Sequence, residues 1–388
     1  MITGKTLLLS LFLLFLTVAI SPHTAQAIPQ FSLATGNRCI NCHAAVQGAG
    51  LRDELGRYST DGTGLTKAQW QPLGDAGALL DGALLLGADA RVQMARSHQS
   101  PDADRRFFPM QAALYSLYRP SGPVQLEGSY NFGPKKFDGQ QSWTGSALIQ
   151  PSFDLPQLRL GYFQPSIGIR YDDHTMLVRQ TADVTGATTL IAPNYAEWGT
   201  ELHYYKLRWL DLTAGVYNAR SLAENTVADS TGQLIPLIEN RDRPSLLGRA
   251  AFWPKLQQGR LNLHAGGSYL VNDDFSITNL FGGVGIRDRL TLLVDYARSG
   301  KEDVRETRNL SVDLAYHGLR SVMLTVRGEA GITTLPRTGG DVEMRTRQAV
   351  FGAQVFLSPQ VILRPEYRLM DTETFRSGRY AAQLHLFY

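Results

Sequence analysis

Leu261-Asn262-Leu263-His264-Ala265-Gly266-Gly267-Ser268-Tyr269 decides how the chain is read. Its odd positions hold Leu, Leu, Ala, Gly and Tyr; its even positions hold Asn, His, Gly and Ser. Successive side chains of a strand point to opposite faces, so this pattern describes a strand with one apolar and one polar face. The same period runs through 84–94, 124–132 and 310–316. In a soluble sandwich the apolar face turns inward. In a membrane barrel it meets lipid, and the polar face lines a lumen.

Three features select the barrel. Segments of ~10 residues recur, with aromatics near their ends. Turns at 119–123, 153–157, 254–259, 287–288, 317–320 and 358–360 are short and rich in Pro or Gly. Most connections between them are longer, notably 172–195 and 219–244, although the one near 272–274 is short. The chain also ends with Tyr380, Ala382, Leu384, Leu386 and Tyr388 on one face. That ending resembles the assembly signal of Gram-negative outer-membrane barrels. The expected fold class is therefore all-β: a transmembrane antiparallel β-barrel of about 16 strands over residues 77–388, wide enough to leave an aqueous bore. Asp89, Arg91, Glu127, Glu201, Asp295, Asp313, Arg327, Arg364, Glu366 and Arg368 fall on the lumen face. Both signs are present, which argues no strong ion selectivity. Met94 and Met110 fall in the apolar, lipid-facing sets.

Charge and composition exclude other classes. Lys and Arg number 38 against 35 Asp and Glu, a formal net charge of +3 with no dense basic run, so no nucleic-acid partner is expected. With 43% hydrophobic residues the chain is not disordered. Two cysteines exclude a disulfide framework and a four-cysteine zinc site.

Ahead of the barrel, Lys5, the apolar run 7–20 and Ala25-Gln26-Ala27 have the order of a secretory signal peptide spanning residues 1–27. Both cysteines then fall in Cys39-Ile40-Asn41-Cys42-His43. C-x-x-C-H spacing is that of c-type haem attachment: two thiols form thioethers and the adjacent imidazole reaches the iron. One covalently bound haem c is expected, with Cys39 and Cys42 as anchors and His43 as axial ligand. The haem domain, residues 28–76, is small and mostly helical. Leu51, Leu55 and Tyr58 at i, i+4 and i+7 suggest one short helix, and Thr66 with Gln69 a capping box before a second. Such a domain makes a cap or plug, too small to insulate a haem alone.

After His43 there is no His or Met until Met94, so the haem domain does not supply its own His or Met as sixth ligand. With the N-terminus periplasmic, His203, His264, His317 and His385 lie near the periplasmic ends of their strands, where the haem domain enters. These four are the candidate sixth ligands. His98 and His174, with Asp102, Asp104, Asp172 and Asp173 nearby, fall in expected outer loops and are candidates for binding a transient metal ion.

Pro29, Phe31, Thr35, Gly36, Cys39, Cys42 and His43 form a P-x-F-x-x-x-T-G-x-x-C-x-x-C-H run. It resembles the start of the fused monohaem cytochrome–porins that act as outer-membrane iron(II) oxidases. Gly56-Arg57 and Asp61-Gly62 are similar to the tail of that family's haem domain, while Ala44 to Gly50 departs from its bulkier aromatic-proline stretch. The resemblance implies an Fe(II):cytochrome oxidoreductase in the outer membrane of a Gram-negative bacterium. Its donor would be extracellular Fe(II) or another reductant, and its acceptor a soluble periplasmic cytochrome. Outer-membrane lipid and the barrel assembly machinery would be its other partners. The alternative is a diffusion porin whose haem domain is a plug or redox sensor; a third reading is outward delivery of electrons.

Overall fold

Sixteen long antiparallel strands close on themselves in the computed structural model. It describes residues 29–43, 51–52, 78–97, 106–133, 141–152, 154–169, 176–179, 195–273, 275–287, 289–337, 339–358, 360–374 and 376–387. In chain order the barrel strands are β1 (Leu84–Ser97), β2 (Arg106–Tyr118), β3 (Val124–Asn131), β4 (Trp143–Ile149), β5 (Gln157–Phe163), β6 (Glu197–Tyr204), β7 (Leu210–Tyr217) and β8 (Ser245–Phe252). The second half holds β9 (Leu261–Asn272), β10 (Phe275–Ile286), β11 (Leu290–Lys301), β12 (Arg305–Leu319), β13 (Val322–Leu335), β14 (Val342–Ser358), β15 (Val361–Thr372) and β16 (Arg376–Phe387). Each pairs with its chain neighbour, and β16 pairs with β1 from Asp89↔Phe387 to Ser97↔Arg379. Closure leaves no unpaired edge, which a wall in hydrocarbon requires.

The alternation resolves as a membrane wall. Leu202, Val216, Leu280, Val326 and Leu384 are exposed on the outside, whereas Glu201, Asp295, Ser311, Asp313 and His385 are buried inside. The described lumen set named above points inward, with Asp89, Arg91, Arg364 and Arg368 all buried. Aromatics gather near both rims. Trp143 packs against Tyr162 at 4.6 Å and Trp198 at 6.1 Å near one rim, and Trp209 against Phe252 at 6.5 Å near the other. Among the described residues no helix is long and apolar enough to cross a membrane.

Three expectations need correction. Met110 is not in a lipid-facing set. Arg91 pairs with Gln111 and Val92 with Pro109, so Met110 is the extra residue of a β-bulge. The bulge reverses its direction, and the Gln383 amide donates to its sulfur at 2.8 Å. Secondly, the longer connections belong to the first half of the chain. From β9 onward, both ends carry short turns, and the strands lengthen instead, to 17 residues in β14. Thirdly, the connection between β5 and β6 is no outer loop where it is described: it folds into the bore. Ser166 donates its N–H and its hydroxyl to Glu201, both at 2.8 Å. Gly168 donates to Ser268 Oγ at 2.8 Å and accepts from Arg249 Nε at 3.1 Å. On the far wall, Leu177 N–H donates to Glu329, and Met176 and Val178 pack with Ala297. A segment without a strand partner needs its backbone groups satisfied, and lumen side chains satisfy them.

The signal segment 1–27, the helices expected around Leu55 and Thr66, and His98, His174 and their neighbouring aspartates lie outside the described residues. Of residues 28–76 the structure describes 29–43, 51 and 52. These hold one short helix, α1 (Pro29–Thr35), and a 3-10 turn, Cys39–Asn41, lodged inside the barrel at the end where the turns of the wall are short.

Candidate functional site

The seat of α1 follows from its sequence. Pro29 opens it, with a ring pre-set for the first helical position. Residues 30 to 34 are all buried. Phe31 packs with Ala315, Met323, Phe356, Ile362 and Phe387, its ring 5.2 Å from His317. Leu33 packs on another side of the bore with Ala251, Trp253, Phe281 and Leu293. One apolar residue anchors each side of the mouth, each contributing about 1.5–3 kcal/mol.

Two glycines make the fit. Gly285 on β10 has no side chain because Leu33 and Ala34 backbone atoms lie where its Cβ would be. Gly36 ends α1 at φ 66°, in the left-handed region, and a Cβ there would meet Asn262 and Lys255. Asn262 in turn donates to Ala34 O at 3.0 Å. The Phe281-Gly282-Gly283-Val284-Gly285 run is thus a groove for the plug, a signal that strand periodicity alone does not reveal.

Arg38 fastens the next step. It is extended, and its guanidinium donates to Asp211 at 2.7 Å and to the carbonyls of Tyr205, Leu207 and Arg208 at 2.5–2.7 Å. Four acceptors on one guanidinium fix the plug to the β6–β7 turn. The chain then winds so that both the Cys42 and His43 N–H groups donate to Cys39 O, at 3.1 and 3.0 Å. Cys39, Cys42 and His43 are buried at 7%, 5% and 5% exposure. His43 bridges to Arg52, whose guanidinium lies 3.8 Å from the centre of the Phe387 ring, and Leu51 packs with Leu85 and Leu117. The motif therefore lies across the mouth between opposite parts of the wall.

The two sulfurs are not joined as a disulfide. Burial pushes the Cys39 thiol up from its ordinary value, against smaller downward effects of the Arg249 guanidinium and the Ser32 hydroxyl. Cys39 packs in one cluster with Leu33, Ile169, Ala251, Trp253, Phe281 and Leu293. Ile169 comes from the inward-folded segment, so the plug and that segment meet at Cys39.

All four candidate histidines are buried in the wall at this end, as their positions imply. His203 uses both ring nitrogens, with Thr213 at 3.1 Å and Glu201 at 3.0 Å. His385 Nε2 meets Asp89 and Arg91, both at 3.2 Å. His317 Nε2 is 3.4 Å from Thr291 Oγ1. His264 is stacked on Trp253, ring centroids 3.4 Å apart, and neither of its nitrogens has a hydrogen-bond partner among the described residues. No group of three or more His, Cys, Asp or Glu able to hold a bare metal ion occurs among the described residues.

No family model and no curated protein matches the sequence. Solved structures do match the fold. Pseudomonas putida OprB at high pH aligns with a TM-score of 0.57 at 10% identity, over 81% of this chain and 97% of that one. The anion-selective porin from Comamonas acidovorans aligns at 0.51 and 9%, over 79% of this chain and 99% of that one. The outer membrane channel DcaP of Acinetobacter baumannii aligns at 0.51 and 10%, over 79% and 97%. At such identities the likeness is one of fold. The chain folds as a closed barrel like those of outer-membrane porins.

Proposed function

We propose that this chain is an outer-membrane electron-transfer protein of a Gram-negative bacterium, carrying one haem c on Cys39 and Cys42 with His43 as axial ligand. It would move electrons from an extracellular donor, Fe(II) by the family resemblance, to a soluble periplasmic cytochrome. The observation that carries this reading is the position of the motif. The chain's two cysteines and the adjacent imidazole are buried in one turn inside the mouth of the bore. The donor set fits the group: two thiols, a neighbouring imidazole and, facing the same cluster, the His264 ring with unbonded nitrogens. When bound, the haem supplies one-electron iron chemistry, its potential set by axial ligand, burial and hydrogen bonds.

The residues of this chain do the rest. Leu33 in the Gly285 groove and Arg38 on the β6–β7 turn hold the attachment turn in the mouth. Ile169 packs in the same buried cluster as Cys39. The polar wall gives a charged donor a path from outside that hydrocarbon would deny it. Optical titration of the purified protein tests the proposal: a Soret band that shifts on adding Fe(II), faster than in Cys39→Ala, is expected. Absence of the band, or no response to any extracellular reductant, overturns it.

A second reading has its own support. Likeness to porins and channels, and an inward segment that narrows the bore, favour a diffusion porin with a haem-bearing plug or redox sensor. It predicts solute conductance in planar bilayers that Cys39→Ala spares or increases, with no electron transfer to a periplasmic acceptor.

A further inference from the structure

We propose that His264 is the second axial ligand of the haem held at Cys39, Cys42 and His43. This rests on the haem reading above and goes beyond it by naming the distal group. Of the four wall histidines, His203 is held on both nitrogens, by Glu201 and Thr213. His385 is tied to the Asp89–Arg91 pair. His317 packs on Phe31, in a cluster that does not include Cys39. His264 differs from all three in partners and in place.

Its place is beside the attachment turn. Trp253 and Phe281 pack in the same cluster as Cys39. The same two rings flank His264, Trp253 stacked on it at 3.4 Å and 14° and Phe281 at 4.8 Å. One side of this aromatic pair meets the sulfur that would carry the porphyrin, and the other holds the imidazole. Arg249 is the charged group facing both, its guanidinium 5.4 Å from the Phe281 ring.

Its chemistry is unexplained otherwise. The side chain is 3% exposed, and neither Nδ1 nor Nε2 finds a hydrogen bond among the described residues. Burying a polar ring unbonded costs on the order of 1–3 kcal/mol, and a wall position chosen for packing alone is filled more cheaply by Leu or Phe. An unbonded imidazole flanked by two rings is oriented and has its nitrogens unused, as a metal ligand requires. Coordination would satisfy one nitrogen and remove that cost.

Spectroscopy of the intact holoprotein tests the assignment. The wild type is expected to show a six-coordinate, low-spin, bis-imidazole haem in optical and EPR spectra. His264→Ala should convert it to high spin, and added imidazole should restore the low-spin signal. His264→Met should give a methionine–iron charge-transfer band and a raised midpoint potential. His317→Ala and His385→Ala should leave the spectrum as in the wild type. Heat-modifiable migration on gels shows that each variant still folds as a barrel, and the Met variant reports even where the Ala variant does not fold. A wild type that is already high spin, an unchanged low-spin spectrum in both His264 variants, or loss of it in His317→Ala or His385→Ala overturns the assignment while leaving the haem reading intact. A wild type with no Soret band defeats the haem reading itself.

Discussion

Gly36 and Gly285 carry more of the architecture than their size suggests. A methyl at Gly36 is strained by the backbone angle and obstructed by Asn262. Gly36→Ala should weaken plug seating by about 1–2 kcal/mol, read as faster limited proteolysis after Arg38 with the barrel intact. Gly285→Val fills the groove and should expel α1 altogether, with a larger effect in the same assay. Cys39 offers a pH test. Its raised thiol value means that the protonated form dominates at neutral pH and that thiolate appears only above the ordinary cysteine range. In haem-free, folded Cys42→Ser protein, maleimide labelling of Cys39 should be slow at neutral pH and rise steeply in alkali. Fast labelling at neutral pH would contradict a buried, protonated thiol. The C-x-x-C-H motif is legible from five residues, Cys39 to His43. The groove is not, because it joins Leu33 to Gly285 across a sequence distance that no periodicity reports.

At the scale of elements, α1 and its 3-10 turn form a peg with two kinds of attachment. Leu33→Ala should cost the peg about 2–5 kcal/mol, and Arg38→Ala strands Asp211 and three carbonyls without their shared donor. Either variant should raise single-channel conductance in planar bilayers, because a loosened peg leaves the mouth open. Unchanged conductance would mean that the bore is closed elsewhere. Strands were readable from the sequence because period two is local, as Leu261–Asn272 shows. Met110 was misread because one inserted residue reverses every later parity, and nothing local marks the insertion. The inward course of 164–169 was hidden for another reason: its partners Glu201, Arg249 and Ser268 come from three different strands.

Across the whole molecule, peg and inward segment divide the bore, meeting at Cys39 and Ile169. Glu201 holds this division, accepting from Ser166 twice, from Tyr217 and from His203. Glu201→Ala should release the segment, leaving buried donors unsatisfied at about 1–3 kcal/mol each. Conductance and access of a water-soluble quencher to the mouth should both increase; if neither changes, the segment is not what narrows the bore. The number of strands and the closed wall followed from alternation and length. The division of the bore did not, since it depends on contacts between parts of the chain far apart in sequence.

Both sulfurs lie within a peg already clasped by the finished cylinder, at 7% and 5% exposure. If the proposed haem is joined to them, the enzyme that joins it needs an unclasped, pliable substrate. That proposal then implies an order of manufacture: export, then loading of the leading segment, then folding of the wall around it. A polypeptide that folds too early would seal its own attachment point away, and biogenesis rather than membrane insertion alone becomes the stage at which functional copies are won or lost.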